Sequence, residues 1–343
     1  MRILYNLTVC LFLSGFAYGQ NGGLSTYQFL SLPYSSRVAA FGGKMAASDV
    51  SDLSLVLQNP AMLDSSLHHS VNLFYTSYFA SINFASASFA WRVNSRSTIA
   101  LSLLGVNYGR FDQADESGII TGTFGGSDLA LALTFSYLVD SCFRVGVNLK
   151  PVYSHLEQYH SLGFASDIGV HYWSKNSLFA GGITLRNLGV MVKPYTPSTY
   201  EKLPLEVVAG ISKKLAHAPF RFIVTLQHLE RYDLFYNAPV STNILGNEGN
   251  SSPNLVERVG RELVSHLIAG VEFVPVKGFG LRLGYNYQRR NELKVQERVS
   301  TVGFSWGVNL RVKKIDVSYS RATYHLTGST NHFSITTNLN SWL

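Results

Sequence analysis

From about Ser70 onward the chain places apolar side chains at every second position, in one short segment after another. A period of two is the side-chain period of a β-strand, so most of the chain is read as strand and not helix. In one segment Leu129, Leu131, Leu133, Phe135 and Tyr137 alternate with Asp128, Ala130, Ala132, Thr134 and Ser136. Phe143, Val145, Val147 and Leu149 alternate likewise with Arg144, Gly146, Asn148 and Lys150. Phe304, Trp306, Val308 and Leu310 alternate with Gly303, Ser305, Gly307, Asn309 and Arg311. Each such strand has one apolar and one small or polar face, which suits lipid outside and a polar lumen inside.

About fourteen segments of this kind can be counted between residues 70 and 343, among them 97–109, 127–139, 177–188, 220–231, 263–274 and 331–343. The connections after even-numbered segments are short, as at 94–96, 140–142, 175–176, 275–277 and 313–314. Those after odd-numbered segments are often long, at 110–126, 189–203, 232–262 and 289–300. Short turns at one end and long loops at the other are expected of an all-β transmembrane antiparallel barrel whose two chain ends lie on the periplasmic side. The composition agrees. Only 14% of residues are charged, well below the roughly 25% of soluble domains. A large secreted sandwich would also lower that share, but it has no reason to alternate short and long connections.

The first residues read as an export signal. Arg2 precedes an apolar stretch running to Phe16, and Ala17, Tyr18 and Gly19 follow, so cleavage is expected after Gly19. The stretch is too short and too interrupted for a membrane anchor, which needs roughly 20 apolar residues. Cys10 would leave with it, so Cys142 remains alone and neither an internal disulfide nor a cysteine-built zinc site is expected. The formal charge of +7 is scattered over turns and loops without the basic stripe of a nucleic-acid binder. The organisation is therefore a signal peptide at 1–19, a plug segment at 20–69 and a barrel at 70–343, located in the outer membrane and in contact with its lipid.

Residues 20–69 do not alternate and are rich in Gly, Ser and Ala, as suits a segment that fills a lumen. They carry Arg37-Val38-Ala39-Ala40-Phe41-Gly42-Gly43-Lys44-Met45-Ala46-Ala47, then Asp49 and Asp52, then Gln58-Asn59-Pro60-Ala61. This run resembles the plug of outer-membrane barrels related to long-chain fatty acid transporters, where Asn59, Pro60 and Ala61 match the plug motif. Ile183 to Gly189 resembles a strand-end motif of the same superfamily. Within it, Leu226-Gln227-His228-Leu229, His266 to Phe273, and Leu281 to Arg290 resemble the PorQ-type barrels of the type IX secretion system. That resemblance implies a non-enzymatic scaffold in a cell-surface attachment complex that sorts cargo. The implied partners are a surface protein resembling PorZ, with PorU and PorV beside it. Tyr232, Phe235 and Tyr236 in one long connection, and Arg289 and Arg290 in another, are the candidate docking residues.

The alternative is a transporter of hydrophobic small molecules, as the wider superfamily suggests. It needs an apolar pocket beside a movable plug, whereas the lumen faces expected from the pattern (Asp128, Arg144, Lys150, Asp167, Arg282 and Arg311) are polar. Gly303-Phe304-Ser305-Trp306-Gly307 matches a hydrolase nucleophile pattern, with Asp316, His325 and His332 following in order. That pattern needs a sharp strand-to-helix turn to expose its serine, and here it sits within an alternating strand. Gly42-Gly43-Lys44 lacks the spacing of a phosphate loop. The ten histidines form no tight ligand motif. No catalytic set, metal or cofactor is expected.

Overall fold

A computed structural model describes residues 25–231, 234, 260, 262–293, 301–325 and 328–342. The expected signal peptide lies outside the described residues, as do Tyr232, Phe235 and Tyr236. The strands are β1 (Ser70–Ser77), β2 (Asn83–Arg92), β3 (Ser97–Ala114), β4 (Ile120–Asp140), β5 (Phe143–Leu156), β6 (Tyr159–Trp173) and β7 (Phe179–Lys193). They continue as β8 (Glu206–Lys214), β9 (Phe220–Leu226), β10 (Leu267–Val276), β11 (Phe279–Asn286), β12 (Phe304–Val312), β13 (Ile315–His325) and β14 (Gly328–Asn338). All pair antiparallel with their neighbours in sequence, and β1 pairs with β14 from Ser70↔Asn338 to Ser77↔Asn331, which closes the sheet. The fold is thus a closed fourteen-stranded antiparallel barrel.

Closure removes the unpaired edge that a sheet cannot leave in lipid. The outward rows are apolar: Leu129, Leu131, Leu133 and Phe135 on β4, Leu162, Phe164 and Ile168 on β6, and Phe304 and Trp306 on β12 are all exposed. A belt of this size is far larger than the apolar patches of water-soluble monomers. The alternate residues face inward and are buried, including Asp128, Arg144, Lys150, Asp167 and Arg282. Arg311 departs from the expected lumen set. It sits at the turn end, 61% exposed in its side chain, and pairs with Asp316 at 2.7 Å.

The boundaries moved where local hydrogen bonding outweighed pattern. β3 and β4 continue past the expected 97–109 and 127–139, because the residues between them form a long hairpin and not a loop. Its turn is closed by Asp115 Oδ1, which accepts from the N–H groups of Ser117 and Ile119. β9 stops at Leu226, short of 231, and His228 turns the chain with φ 55°. β10 begins at Leu267, because residues 262–265 are helical. β14 ends at Asn338 instead of running to the C-terminus. The Asn338 side chain accepts from the Asn340 N–H and caps a 3-10 turn at Leu339–Ser341.

Residues 25–69 run through the barrel from the loop end, where Thr26 N–H donates to the Lys202 carbonyl at 2.9 Å, to the turn end, where β1 begins. They form a short helix at Ser36–Ala40 and 3-10 turns at Gln28–Ser31, Leu53–Leu55, Pro60–Met62 and Ser65–Leu67. Each turn after the first begins at a side-chain cap: Ser35, Asp52, Asn59 and Asp64 accept from backbone N–H groups two or three residues on. Capping of this kind lets a short segment satisfy its backbone without a regular ladder.

Candidate functional site

Among the described residues, the lumen is where the chain gathers its buried charges and inward aromatics, and it has two unlike parts. The first is ionic. Arg37, on the plug helix, donates to Asp52 at 2.8 Å and to Glu272 of β10 at 3.2 Å. Glu272 also accepts from Arg282 Nε at 2.8 Å and from Arg221, and Arg221 reaches Asp49 at 2.9 Å. Three carboxylates therefore face three guanidiniums, two of the acids and one of the bases coming from the plug. A second group joins Lys44 to Glu206 at 2.6 Å and Arg186 to Glu206 at 3.2 Å, while Arg186 also holds the Leu30 carbonyl. Burial pushes the Lys44 ammonium below its ordinary range, and Glu206 opposes that shift. Nearby, Lys150 pairs with Asp167 at 2.6 Å, and Asp167 accepts from the Asn187 N–H at 2.7 Å. Towards the turn end Arg144 lies 3.5 Å from Asp64 and packs over the Trp173 ring.

The plug motif is the mechanical joint of this region. Asn59 is fully buried; its Oδ1 accepts from the Ala61 N–H at 2.9 Å. Its Nδ2 donates to the Ala46 carbonyl at 2.7 Å and to the Val170 carbonyl of β6 at 3.0 Å. Pro60 starts the 3-10 turn with a ring that fixes φ near −65° and needs no donor there. The wall opposite is bare at two glycines. A Cβ on Gly169 would lie 2.0 Å from Asn59 Oδ1, and one on Gly146 would lie 2.4 Å from the Pro60 carbonyl carbon. Asn59, Pro60 and Ala61 thus seat the plug against the β5–β6 wall.

The second part is apolar, and it was not foreseen from the pattern. Phe74, Phe84, Leu104, Val106, Ala130, Ala132, Val152 and Met191 point inward from β1 to β7 and form one cluster with Tyr27, Phe29, Leu30 and Tyr34 of the plug. Tyr34 meets Phe74 and Phe84 edge to face, with ring centroids 6.1 and 5.9 Å apart. Its hydroxyl is buried without a hydrogen-bond partner among the described residues. Burial, and then Tyr108 and Asp128, push that phenol well above its ordinary range. A sequence signal existed: Leu73-Phe74-Tyr75 and Leu103-Leu104 are apolar on both faces of their strands, which a purely polar lumen does not call for.

The other candidates fall elsewhere. Arg289 and Arg290 lie on a helix at the loop end, Tyr287–Leu293. Arg289 donates to the Gly42 carbonyl of the plug at 2.9 Å and stacks on Tyr324, and Arg290 reaches the Val302 carbonyl at 3.4 Å. Ser305 is buried and donates to the Ala40 carbonyl at 2.8 Å, inside the expected small row between exposed Phe304 and Trp306. Asp316 is engaged with Arg311 at the turn end, and His332 with Thr76 and Thr330, so these residues do not assemble around Ser305. His228 and His266 are held separately, the first by Glu230 and the second by the Gln227 carbonyl. Among the described residues there is no cluster of three metal-binding side chains.

No family model matches the chain, and no curated protein matches it. Among solved structures it is similar to the P. putida toluene transporter TodX, with 12% identity over 90% of this chain and 97% of that chain and a TM-score of 0.51. A deltaS2 mutant of the TodX monoaromatic hydrocarbon channel matches with 11% identity, 89% and 97% coverage and a TM-score of 0.53. The CymD monoaromatic hydrocarbon channel matches with 11% identity, 90% and 96% coverage and a TM-score of 0.51. At such identities the likeness is one of fold, that of outer-membrane transporter and channel barrels.

Proposed function

We propose that the chain is an outer-membrane conduit for hydrophobic small molecules, admitted at the loop end. The observation that carries this is the apolar cluster built into one side of the lumen wall, where the plug's own Phe29, Leu30 and Tyr34 now lie. Ligand sites are mostly apolar hollows with a few placed polar groups, and this wall has that character. The plug divides accordingly. Residues 36–69 are fixed to the wall by Arg37, Lys44, Asn59 and Asp64. Residues 25–34 make no ion pair among the described residues; they rest on apolar contacts, a strand bridge to Lys202, a Tyr27–Ser161 bond, and the Arg186 and Lys44 donors to the Leu30 and Ser31 carbonyls. A hydrophobic molecule competes for the wall with the side chains of Phe29 and Leu30 and leaves the ion pairs of Arg37, Lys44 and Asp64 in place. The neighbours of like fold carry toluene or monoaromatic hydrocarbons by their titles, which supports the same class here.

The test is binding and permeation of a hydrophobic fluorescent probe with the barrel reconstituted in proteoliposomes. Leu104→Asn and Phe84→Asn, which make the wall polar, should abolish both while the heat-modifiable folded band persists. Probe flux equal in wild type and both variants would overturn the proposal.

A second reading is the scaffold of a type IX attachment complex with a PorZ-like surface partner. The firm anchorage of residues 36–69 favours it, because a cross-linked plug makes the loop end a rigid mount. Shortening residues 242–254, which lie outside the described residues, should then release a surface partner from the folded barrel. Normal cargo attachment after that deletion would remove the scaffold from consideration.

A further inference from the structure

Among the described residues, the acids that face the plug–wall contact are matched to cations with the exception of Asp128. Asp49, Asp52, Asp64, Asp167, Glu206 and Glu272 each have a Lys or Arg nitrogen within 3.5 Å. Asp128 is 5% exposed and has no such partner among the described residues. Hydroxyls hold it instead: Tyr108 donates at 2.6 Å and Ser154 also donates, with Tyr195 donating to Ser154 in turn. Its position is not that of a structural ion pair. It lies opposite Val106 on β3 and Ser154 on β5, at the loop-end margin of the wall formed by Ala130, Ala132, Leu104 and Val152. Tyr108 and Tyr195 pack against the same apolar cluster, and the unpartnered Tyr34 hydroxyl lies in it. A buried carboxylate is costly unless a positive charge or several donors attend it.

From this juxtaposition we infer that the conduit selects hydrophobic molecules carrying a protonated amine, whose ammonium pairs with Asp128 and the Tyr34 hydroxyl while the apolar body takes the place of Phe29 and Leu30. The inference rests on the proposed conduit and names its substrate class. An ammonium supplies three donors, enough for the Asp128 carboxylate and the free Tyr34 oxygen together. A carboxylate head of the same chain length meets a like charge and is disfavoured. An alcohol falls between them, since it donates one hydrogen bond without charge.

The experiment is equilibrium dialysis of decylamine, decanol and decanoate at pH 7 against the full barrel in a neutral maltoside detergent, with protein-free micelles subtracted. Decylamine should bind about tenfold more tightly than decanoate, equivalent to about 1.4 kcal/mol. Asp128→Asn should erase that preference and weaken decanol far less than decylamine, and Tyr34→Phe should weaken decylamine about threefold. The wild-type ranking decides the matter even where a variant fails to fold. Binding of all three ligands with equal affinity, or tighter binding of decanoate, overturns the amine assignment while the conduit stands. Binding of none of the three overturns the conduit itself, and the amine assignment with it.

Discussion

Glu272→Gln is the sharpest probe of how the plug is held. Glu272 is 1% exposed, and it is the only carboxylate of its group contributed by the wall among the described residues. Glutamine keeps the shape and removes the charge, so no cavity enters the comparison. Asp52 still pairs with Arg37 at 2.8 Å and Asp49 with Arg221 at 2.7 Å. Arg282, itself 1% exposed, would be left with a neutral amide oxygen and a 3.5 Å contact to Ser318, and with no carboxylate at ion-pair distance among the described residues. Leaving one buried charge uncompensated costs about 3–5 kcal/mol, a change of roughly 10²- to 10⁴-fold in the unfolding equilibrium. The exposed Arg311–Asp316 pair provides the scale, since Arg311→Gln should cost at most about 1 kcal/mol. Guanidinium unfolding of the detergent-folded barrel, followed by the heat-modifiable gel band, measures both. Arg282→Met in the Glu272→Gln background should recover part of the loss, because it removes the stranded charge. If Glu272→Gln lies within 1 kcal/mol of wild type, or no lower than Arg311→Gln, the ionic group does not anchor the plug and the division into fixed and exchangeable parts fails.

Other outcomes follow from the same contacts. Gly169→Val should unseat Asn59 and expose Arg37 and Lys44 to trypsin in a barrel that still folds, whereas Gly181→Val, with its nearest atom 3.8 Å from the added Cβ, should not. Ser305→Ala removes one hydrogen bond to the plug and should cost about 1 kcal/mol, and a serine-reactive phosphonate should label neither protein. The Asp64 carboxyl is held below its ordinary range: burial pushes it up, but Arg144, the Ser66 N–H and the Ser51 and Ser65 hydroxyls outweigh that. Its contribution to the turn-end seat is therefore fully present above pH ~4 and lost as the pH falls through its lowered value. Protease access to residues 64–69 should rise over that interval in wild type and show no such step in Asp64→Asn.

The barrel was legible because lipid imposes one rule on every strand. A side chain on the outer face must be apolar while its neighbours are free to be small or polar, and fourteen repetitions of that rule survive errors at individual ends. The ends themselves follow local chemistry that period cannot express: Asp115 closing a hairpin, His228 in a left-handed turn, Asn338 capping the last strand. The plug motif was legible as a motif, yet its use depended on the bare wall at Gly146 and Gly169, two positions more than 80 residues away in the chain.

The apolar wall was hidden for a different reason. Charged inward residues are placed where something pairs with them, and most of the plug's ion pairs reach the wall between β7 and β11. Where Arg37, Lys44 and Asp49 reach the wall, the inward residues are Arg186, Glu206, Arg221, Glu272 and Arg282. Where the plug presents Tyr27, Phe29, Leu30 and Tyr34, they are Phe74, Phe84, Leu104, Val106 and Val152. A strand read alone shows only that its second face is mixed. The partition becomes visible once the plug's own order, apolar to residue 34 and charged after it, is laid against the strands it crosses. A lumen sorted in this way has one side held by charge and another held mainly by apolar contact, and under the proposed conduit it is the second that exchanges its occupant for a molecule of like polarity without breaking an ion pair.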